Sequence, residues 1–377
     1  MEKDYSLNET QAVVACLEDA VVFKAAILEL LDLPELTISL ISLGFISEAA
    51  MFIVESYDCL KIIAPDKAAI FDSTLVDELR IMRHRAKLLE SRKDINEVIE
   101  VLLEIEKNET KRYREERMRG LSFIFKLIQP DMGLTKLDGK IITSTHSTIY
   151  FLSPNMQFSS EYMKDLGEKV AIYIRKLSDL ASSKKSVNII DGKFLKNEKY
   201  KVFDIKSKNI IKRSSFQSNN NRYARALLLI LTRLNYTKLV TSNLLDSDSH
   251  ALLRTKFINT FHAVSSLKTL QAIIRKEGSL ALENDFFKEV CSEENAKWIS
   301  KQSSLRNFLT HYLLDEKQLK RMKPDFNRED AIYTLGGEVA IDEIIRRLDF
   351  AIENITANIE KFFNLKQDTF QFNIIEI

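Results

Sequence analysis

Between Ile341 and Phe362 the apolar side chains Ile341, Ile344, Ile345, Leu348, Ile352, Ile355, Ile359 and Phe362 recur mostly in steps of three or four. At 3.6 residues per turn this spacing puts them along one side of an α-helix. So continuous a stripe needs other helices to cover it, which makes a helical bundle the natural architecture. The residues that break helices are scarce: nine glycines and five prolines in 377 residues. Few turn-formers mean long helices and few loops, and all-β folds are excluded on that ground. With 45% hydrophobic and 29% charged residues, the chain has material for a real core and is not of the disordered class.

Helical spacing also runs from Thr10 to Leu31, with Asn8 or Thr10 as caps, and from about Leu36 to Ile63. It resumes after Asp72 and again from Asp94 to Leu127, where the middle mixes charges of both signs as a solvated helix face does. After Pro130 the texture changes. I-I-T-S-T-H-S-T-I-Y-F-L (141–152) is β-branched and aromatic and predicts a strand, followed by a helix from Ser159 to Leu180. V-N-I-I, Y-K-V-F-D-I and N-I-I-K-R predict short strands, with Asp191–Gly192 as a hairpin dipeptide. Ser214 to Arg222 is a polar linker. Helices return over Tyr223–Leu245, Ser249–Lys276 (capped by Asp246 or Ser247, ended by Gly278), Leu280–Cys291, Asn295–Leu314 and Gly337–Leu365. The chain therefore reads as mainly α in three parts. Residues 1–130 form an N-terminal helical region, 131–221 a mixed α/β insert with linker, and 222–377 a bundle of four or five helices.

The formal net charge is +1, so no global field draws in nucleic acid, and any such contact must use a local patch. Cys16, Cys59 and Cys291 form no C-x-x-C pair and no metal-ligand spacing, which suits a reducing compartment. There is no H-E-x-x-H and no G-x-x-x-x-G-K-[ST], so no metal or cofactor is expected. The N-terminus lacks a signal-peptide pattern. The most apolar stretch, Ile27 to Val54, carries Glu29, Asp32, Glu35 and Glu48 as well as Pro34, and reads as parts of two buried helices, not a membrane span. A cytoplasmic protein with no membrane partner is the expectation.

One short segment carries chemistry: S-S-L-R-N-F-L-T-H-Y-L-L, Ser303 to Leu314. On a helical wheel Leu305, Phe308, Leu309 and Tyr312 fall on one arc and face the core, while Asn307 and His311 stack on the opposite side. Arg306 lies roughly 140° around from His311. Leu313 falls beside Arg306 and Leu314 beside Asn307, a border that suits a cleft or subunit interface better than open water.

R-N-F-L-T-H, Arg306 to His311, resembles the R-[polar]-x-x-x-H signature of the HEPN superfamily. These are helical-bundle proteins, many of them metal-independent ribonucleases of toxin–antitoxin, abortive-infection and CRISPR systems. The resemblance covers Tyr223 to about Leu365 and rests on this one motif. It implies a homodimer in which two motifs meet in one RNA-cleaving site, and a possible antitoxin or regulatory partner. In the branch regulated by a nucleotidyltransferase a tyrosine stands two residues after the histidine; here Leu313 holds that place and Tyr312 directly follows His311.

The residue types fit that chemistry. Histidine, with an ordinary pKa of about 6.5, suits a base that takes the 2′-OH proton. Arginine keeps its charge and can grip two phosphoryl oxygens. Asn307 is one turn from His311 and can orient imidazole or ribose. Arg306, Asn307 and His311 are thus the candidate catalytic set for an endoribonuclease of toxin or anti-phage type, leaving 2′,3′-cyclic phosphate and 5′-OH ends. The rival reading is a non-catalytic, HEPN-like RNA-binding or adaptor protein.

Two weaker features remain. Lys193 to Arg213 mixes lysines with aromatics, a composition that tracks nucleic acid or merely guards strand edges. Lys206, Lys208, Lys212 and Arg213, with Tyr312, are the candidate RNA contacts. D-E-L-R-I-M-R-H-R-A-K, Asp77 to Lys87, sets Arg80 four residues before His84 and reads as a basic solvated helix face or the trace of a second bundle.

Overall fold

A computed structural model of the chain describes residues 5–87, 92–117, 130–152, 159–181, 195, 200–216, 220–278, 281–365 and 375–376. Ser6 starts helix α1 (Leu7–Leu31) through a capping box: its hydroxyl accepts from the Glu9 amide, and Glu9 accepts from the Ser6 amide at 2.8 Å. The expected caps Asn8 and Thr10 lie inside the helix. Asn8 instead clasps the backbone of Leu314, donating to its carbonyl at 3.1 Å and accepting from its amide at 3.2 Å. Pro34 breaks the chain before α2 (Glu35–Ile63), and α3 (Ser73–Lys87) and α4 (Arg92–Arg117) follow.

The insert contains an antiparallel sheet in the order β2-β1-β3-β4. Strands β1 (Met132–Leu137) and β2 (Lys140–Ser144) join through Asp138 and Gly139, both at positive φ, the conformation of a two-residue type I′ hairpin. Strand β3 (Tyr200–Ile205) pairs with β1, Leu134 opposite Phe203, and the two-residue β4 (Ile375–Glu376) adds an edge. Three strand expectations need correction or fall away. The predicted strand 141–152 ends at Ser144 and becomes helix α5 (Thr145–Leu152). The cause is a cap: the Ser144 hydroxyl accepts from the Ser147 amide at 3.0 Å, and the Ser147 hydroxyl accepts from the Ser144 amide at 2.9 Å. Cap chemistry outweighs the β-branched side chains that follow. N-I-I-K-R is also helical in part, within Ser207–Ile211, because the Asp131 carboxylate accepts the Ser207 amide at 2.6 Å and fixes that N-terminus. V-N-I-I and Asp191–Gly192 lie outside the described residues, while β1, poor in β-branched residues, was not anticipated.

Helix α6 (Ser160–Asp179) is capped by Ser159. Helix α7 (Ala224–Tyr236) continues into a π-turn at Thr237–Thr241. Helix α8 (His250–Glu277) is capped by Ser249, not Asp246 or Ser247, and ends at Gly278 with φ +94°. Then come α9 (Ala281–Cys291), α10 (Glu294–Ile299), α11 (Ser303–His311), α12 (Arg328–Leu335) and α13 (Ile341–Phe362). The predicted single segment Asn295–Leu314 is two helices, α10 and α11.

Two apolar cores result, and they do not follow the expected segments 1–130, 131–221 and 222–377. Ile95 to Ile105 of α4 pack with α7, α8 and the buried stripe of α13. Helices α1 to α3 pack instead with α6 of the insert and with Tyr236 to Leu252. Gly44 leaves room for the Tyr236 ring against α2, since a Cβ there would run into it. Thr37–Ile63 is apolar and long enough to cross a membrane, but 67% of its most apolar window is buried inside this protein, and it carries the buried carboxylates Glu48 and Glu55.

Candidate active site

Helix α11 is short because its last turn is pinned. Leu305, Phe308, Leu309 and Thr310 are buried, and the chain turns at Tyr312, whose φ of +64° costs a non-glycine residue about 1–2 kcal/mol. Interactions hold it there: the Tyr312 hydroxyl donates to Asp19 at 2.7 Å, and the Arg254 guanidinium lies 4.7 Å from its ring centroid. Arg254 also pairs with Asp19 at 3.5 Å, so both charges are buried together. The helix thus ends at His311, and Leu313 and Leu314 do not continue the wheel. Leu314 turns into the core beside Asn8, so the leucine border expected around the motif is absent.

His311 leans on the N-terminal helices. Its Nδ1 lies 2.8 Å from Oε2 of Glu55 on α2; the glutamate side chain is 3% exposed, the imidazole 48%. Arg83 of α3 pairs with the other oxygen of Glu55. Burial alone would raise the Glu55 pKa, but the hydrogen bond to His311 and the charge of Arg83 outweigh it and hold the carboxyl below its ordinary value. An ionised carboxylate only accepts, so Nδ1 is the donor in this bond. The imidazole is held through Nδ1, and Nε2 is the ring nitrogen that Glu55 does not engage.

Arg306 goes elsewhere. Its guanidinium lies over Phe261 of α8, 5.2 Å from the ring centroid, and donates to the exposed Asn307 at 3.1 Å. Arg306 and His311 thus engage different helices, α8 and α2. Next to Phe261, His262 lines a cavity with Arg85 of α3, so consecutive residues of α8 meet the motif arginine and an α3 arginine.

The expected RNA contacts are not gathered at the motif. Tyr312 is 4% exposed and cannot stack on a base. Lys208, Lys212 and Arg213 are exposed and Lys206 half-buried, but their segment is tied to the far end of α13, where Ser215 donates to the Phe362 carbonyl at 3.0 Å. The motif packs near the other end, with Leu305 and Ile344 both beside Gly336. Eighteen helical residues separate Ile344 from Phe362, roughly 27 Å. Of the two basic segments it is the other that reaches the motif, through Arg83 on Glu55; on the same helix Arg80 pairs with Asp58 and Arg85 donates to the Tyr150 carbonyl at 2.6 Å. That face is half-buried and paired, not simply solvated.

Glu55, Arg83 and His262 were not singled out from the sequence. A carboxylate in so apolar a helix was the available signal for Glu55, since a buried charge needs partners.

A second constellation has triad residue types without triad wiring. His146 Nε2 lies 2.8 Å from the backbone carbonyl of Asp131, while the Asp131 carboxylate accepts from Ser207, 3.1 Å to its hydroxyl. The serine never meets the imidazole, and all three are buried. Burial lowers the His146 pKa and raises that of Asp131. This set ties β1, α5 and Ser207–Ile211 together. Cys16 and Cys59, distant in sequence, also meet; burial first, then the bond with Cys59, pushes the Cys16 thiol up. Among the described residues no three His, Cys, Asp or Glu side chains are grouped to hold a metal ion. Compared with family models, curated proteins and solved structures, the chain matches none.

Proposed function

We propose that the chain is a metal-independent endoribonuclease with His311 as its base. The observation that carries this reading is the buried, ionised Glu55 bonded to Nδ1 of a half-exposed imidazole. A histidine held this way has its tautomer and orientation set, and Nε2 is ready to take a proton. In the reaction Nε2 takes the 2′-OH proton, the 2′-oxygen bonds to phosphorus, and the bond from phosphorus to the 5′-oxygen breaks. The departing 5′-oxygen takes a proton from solvent water and the His311 imidazolium returns its own to solvent, giving a 2′,3′-cyclic phosphate and a 5′-OH with no net water consumed. Arg306 answers charge on the phosphoryl oxygens, and Asn307, bonded to Arg306, orients it. Because Arg306 and His311 diverge within one chain, a second copy supplying the other motif residue suits the reading, and the enzyme is proposed to act as a homodimer. A toxin or anti-phage role, under the control of an antitoxin or regulatory partner, is the biological setting that the motif resemblance suggests.

The adaptor reading has one observation in its favour: Glu55 joins α2, α3 and α11 through Arg83 and His311, so the histidine has a structural use as well. The test is purified protein on total tRNA and mRNA in EDTA. Cleavage that yields cyclic phosphate ends and vanishes in His311→Ala is the expected result. Cleavage that requires divalent metal, or survives in His311→Ala, overturns the mechanism, and binding without cleavage selects the adaptor.

A further inference from the structure

We propose that the basic turn after the motif helix, carrying Lys317, Lys320 and Arg321, is an RNA-binding surface that holds the phosphates of a strand leading along α11 to His311. The strand's destination rests on the nuclease reading; the surface rests on its own charges and their place in the fold.

From Lys317 to Lys323 the sequence K-Q-L-K-R-M-K holds four cations and no acid. A capping box builds the helical turn Glu316–Leu319: the Asp315 carboxylate accepts from the Gln318 amide at 2.8 Å, and the Gln318 side chain accepts from the Asp315 amide at 2.9 Å. Backbone bonds from Arg321 to Gln318 and from Met322 to Leu319 carry the turn on. Gln318 is buried, and Leu319 and Met322 pack against the core. At about 100° per residue, Lys317, Lys320 and Arg321 then fall on the opposite arc, and all three are exposed.

These charges are not neutralised within the fold. Among the described residues Lys317, Lys320 and Lys323 make no ion pair and no side-chain hydrogen bond, and Arg321 gives a single N–H to the Thr334 carbonyl at 3.2 Å. Glu316 stands four residues before Lys320, the spacing at which such pairs form on a helix, yet the two are not paired. Exposed cations on other helices do pair: Lys169 with Asp165, Arg175 with Asp179 and Lys238 with Glu353. With a net charge of only +1, a local patch of one sign is what a polyanion can use, through the counterions it releases there.

Position links the patch to the motif. Gln318 Nε2 donates to the Ser304 carbonyl at 2.8 Å, which pins the basic turn to the first turn of α11. Ser304, Asn307 and His311 follow one another by three and four residues, so one strip of α11 runs from this junction to the imidazole. Asn307 and His311 are exposed along it. The strip is about 10 Å long, room for about three phosphates of one strand at 3.4 Å each. A bilayer fits less well, since it takes up an apolar helix face and here Leu319 and Met322 are turned to the core.

The test is fluorescence anisotropy in EDTA with a labelled 2′-O-methyl oligoribonucleotide, which binds but cannot be cut. Wild type is compared with the triple variant Lys317→Gln, Lys320→Gln, Arg321→Gln. The variant is expected to bind at least about ten-fold more weakly, with the slope of log affinity against log salt smaller by about two. Lys317→Arg with Lys320→Arg, which keeps the charge, should bind as wild type does. Melting curves check folding, and Lys317→Gln with Lys320→Gln, which spares the bond to Thr334, replaces the triple variant if that one unfolds. Unchanged affinity and slope in the folded variant overturn the proposal. So does a loss of binding that follows the same exchange at Lys208, Lys212 and Arg213 instead. Phosphatidylserine vesicles form a second arm: vesicles held through these cations while the oligonucleotide is indifferent to them would make the partner a membrane and overturn the RNA assignment. Binding that depends on the three cations, without any cleavage of natural RNA, keeps the surface and removes the nuclease reading. Cleavage by a protein whose binding ignores them does the reverse, and a wild type that binds no oligonucleotide overturns the surface.

Discussion

His311 and His146 each sit near an acidic residue, yet they are built for opposite purposes. His311 has its Nδ1 on a carboxylate oxygen and a half-exposed ring; His146 is 7% exposed and has its Nε2 on a backbone carbonyl. The carboxylate at His311 holds Nδ1 and adds negative charge behind a ring that is half-exposed. The carbonyl at His146 satisfies a donor in a place no substrate enters. Residue type alone does not separate the two. What separates them is which atom of the acidic residue the ring meets, and whether the other nitrogen reaches solvent.

Substitution should split the pair cleanly. His311→Ala is expected to cut RNA cleavage by about 10²- to 10⁴-fold, the usual worth of a general base, with a smaller loss of stability than His146→Ala, since Arg83 still pairs with the buried Glu55. His146→Ala should do the converse, lowering stability by about 2–3 kcal/mol through a lost buried hydrogen bond and an unfilled volume. Its specific activity per folded molecule should stay unchanged. Urea unfolding and initial cleavage rates on the same preparations check both, and a His146→Ala protein that is stable but inactive would erase the distinction.

Glu55 tests the tautomer itself. In Glu55→Gln the amide can donate to Nδ1 and favour the wrong ring tautomer, so the rate should fall by at least about ten-fold. The loss belongs in kcat, because the 3% exposed glutamate is not a substrate contact. A fall confined to KM would mean that Glu55 shapes binding instead.

These contrasts also show how far the sequence could be read. Local periodicity made the helices legible, including the stripe of α13 and the buried face of α11, because helix burial repeats every three to four residues whatever the partner. Caps were harder: Ser144 and Ser147 turned a β-branched run into α5, and Ser6, not Asn8, began α1. The motif was visible, but its support was not. Glu55 reaches His311 across 256 positions, a contact set by how α11 packs on α2. The same limit misplaced the basic patch. Lys206 to Arg213 and Asp77 to Lys87 each carry four Lys or Arg side chains, and only the packing shows that the second lies by the motif and the first at the other end of α13.

The smallest expected effect comes from pH. His146 and His250 are both held below the ordinary imidazole value, chiefly by burial, so the folded state keeps them neutral where the unfolded chain would protonate. The unfolded state then binds more protons as pH falls, and stability drops below an unfolded pKa of about 6.5. For one such group the loss between pH 7 and 6 is under about 1 kcal/mol. Chemical denaturation at pH 7, 6 and 5 should show wild type losing more stability than His146→Gln. Glu48 and Asp131, raised by burial, pull the other way, but they do so in both proteins, so the difference between the two curves isolates the imidazole. Parallel curves would mean that His146 takes up its proton as readily in the fold as in the unfolded chain, and the contrast with His311 would then rest on exposure alone.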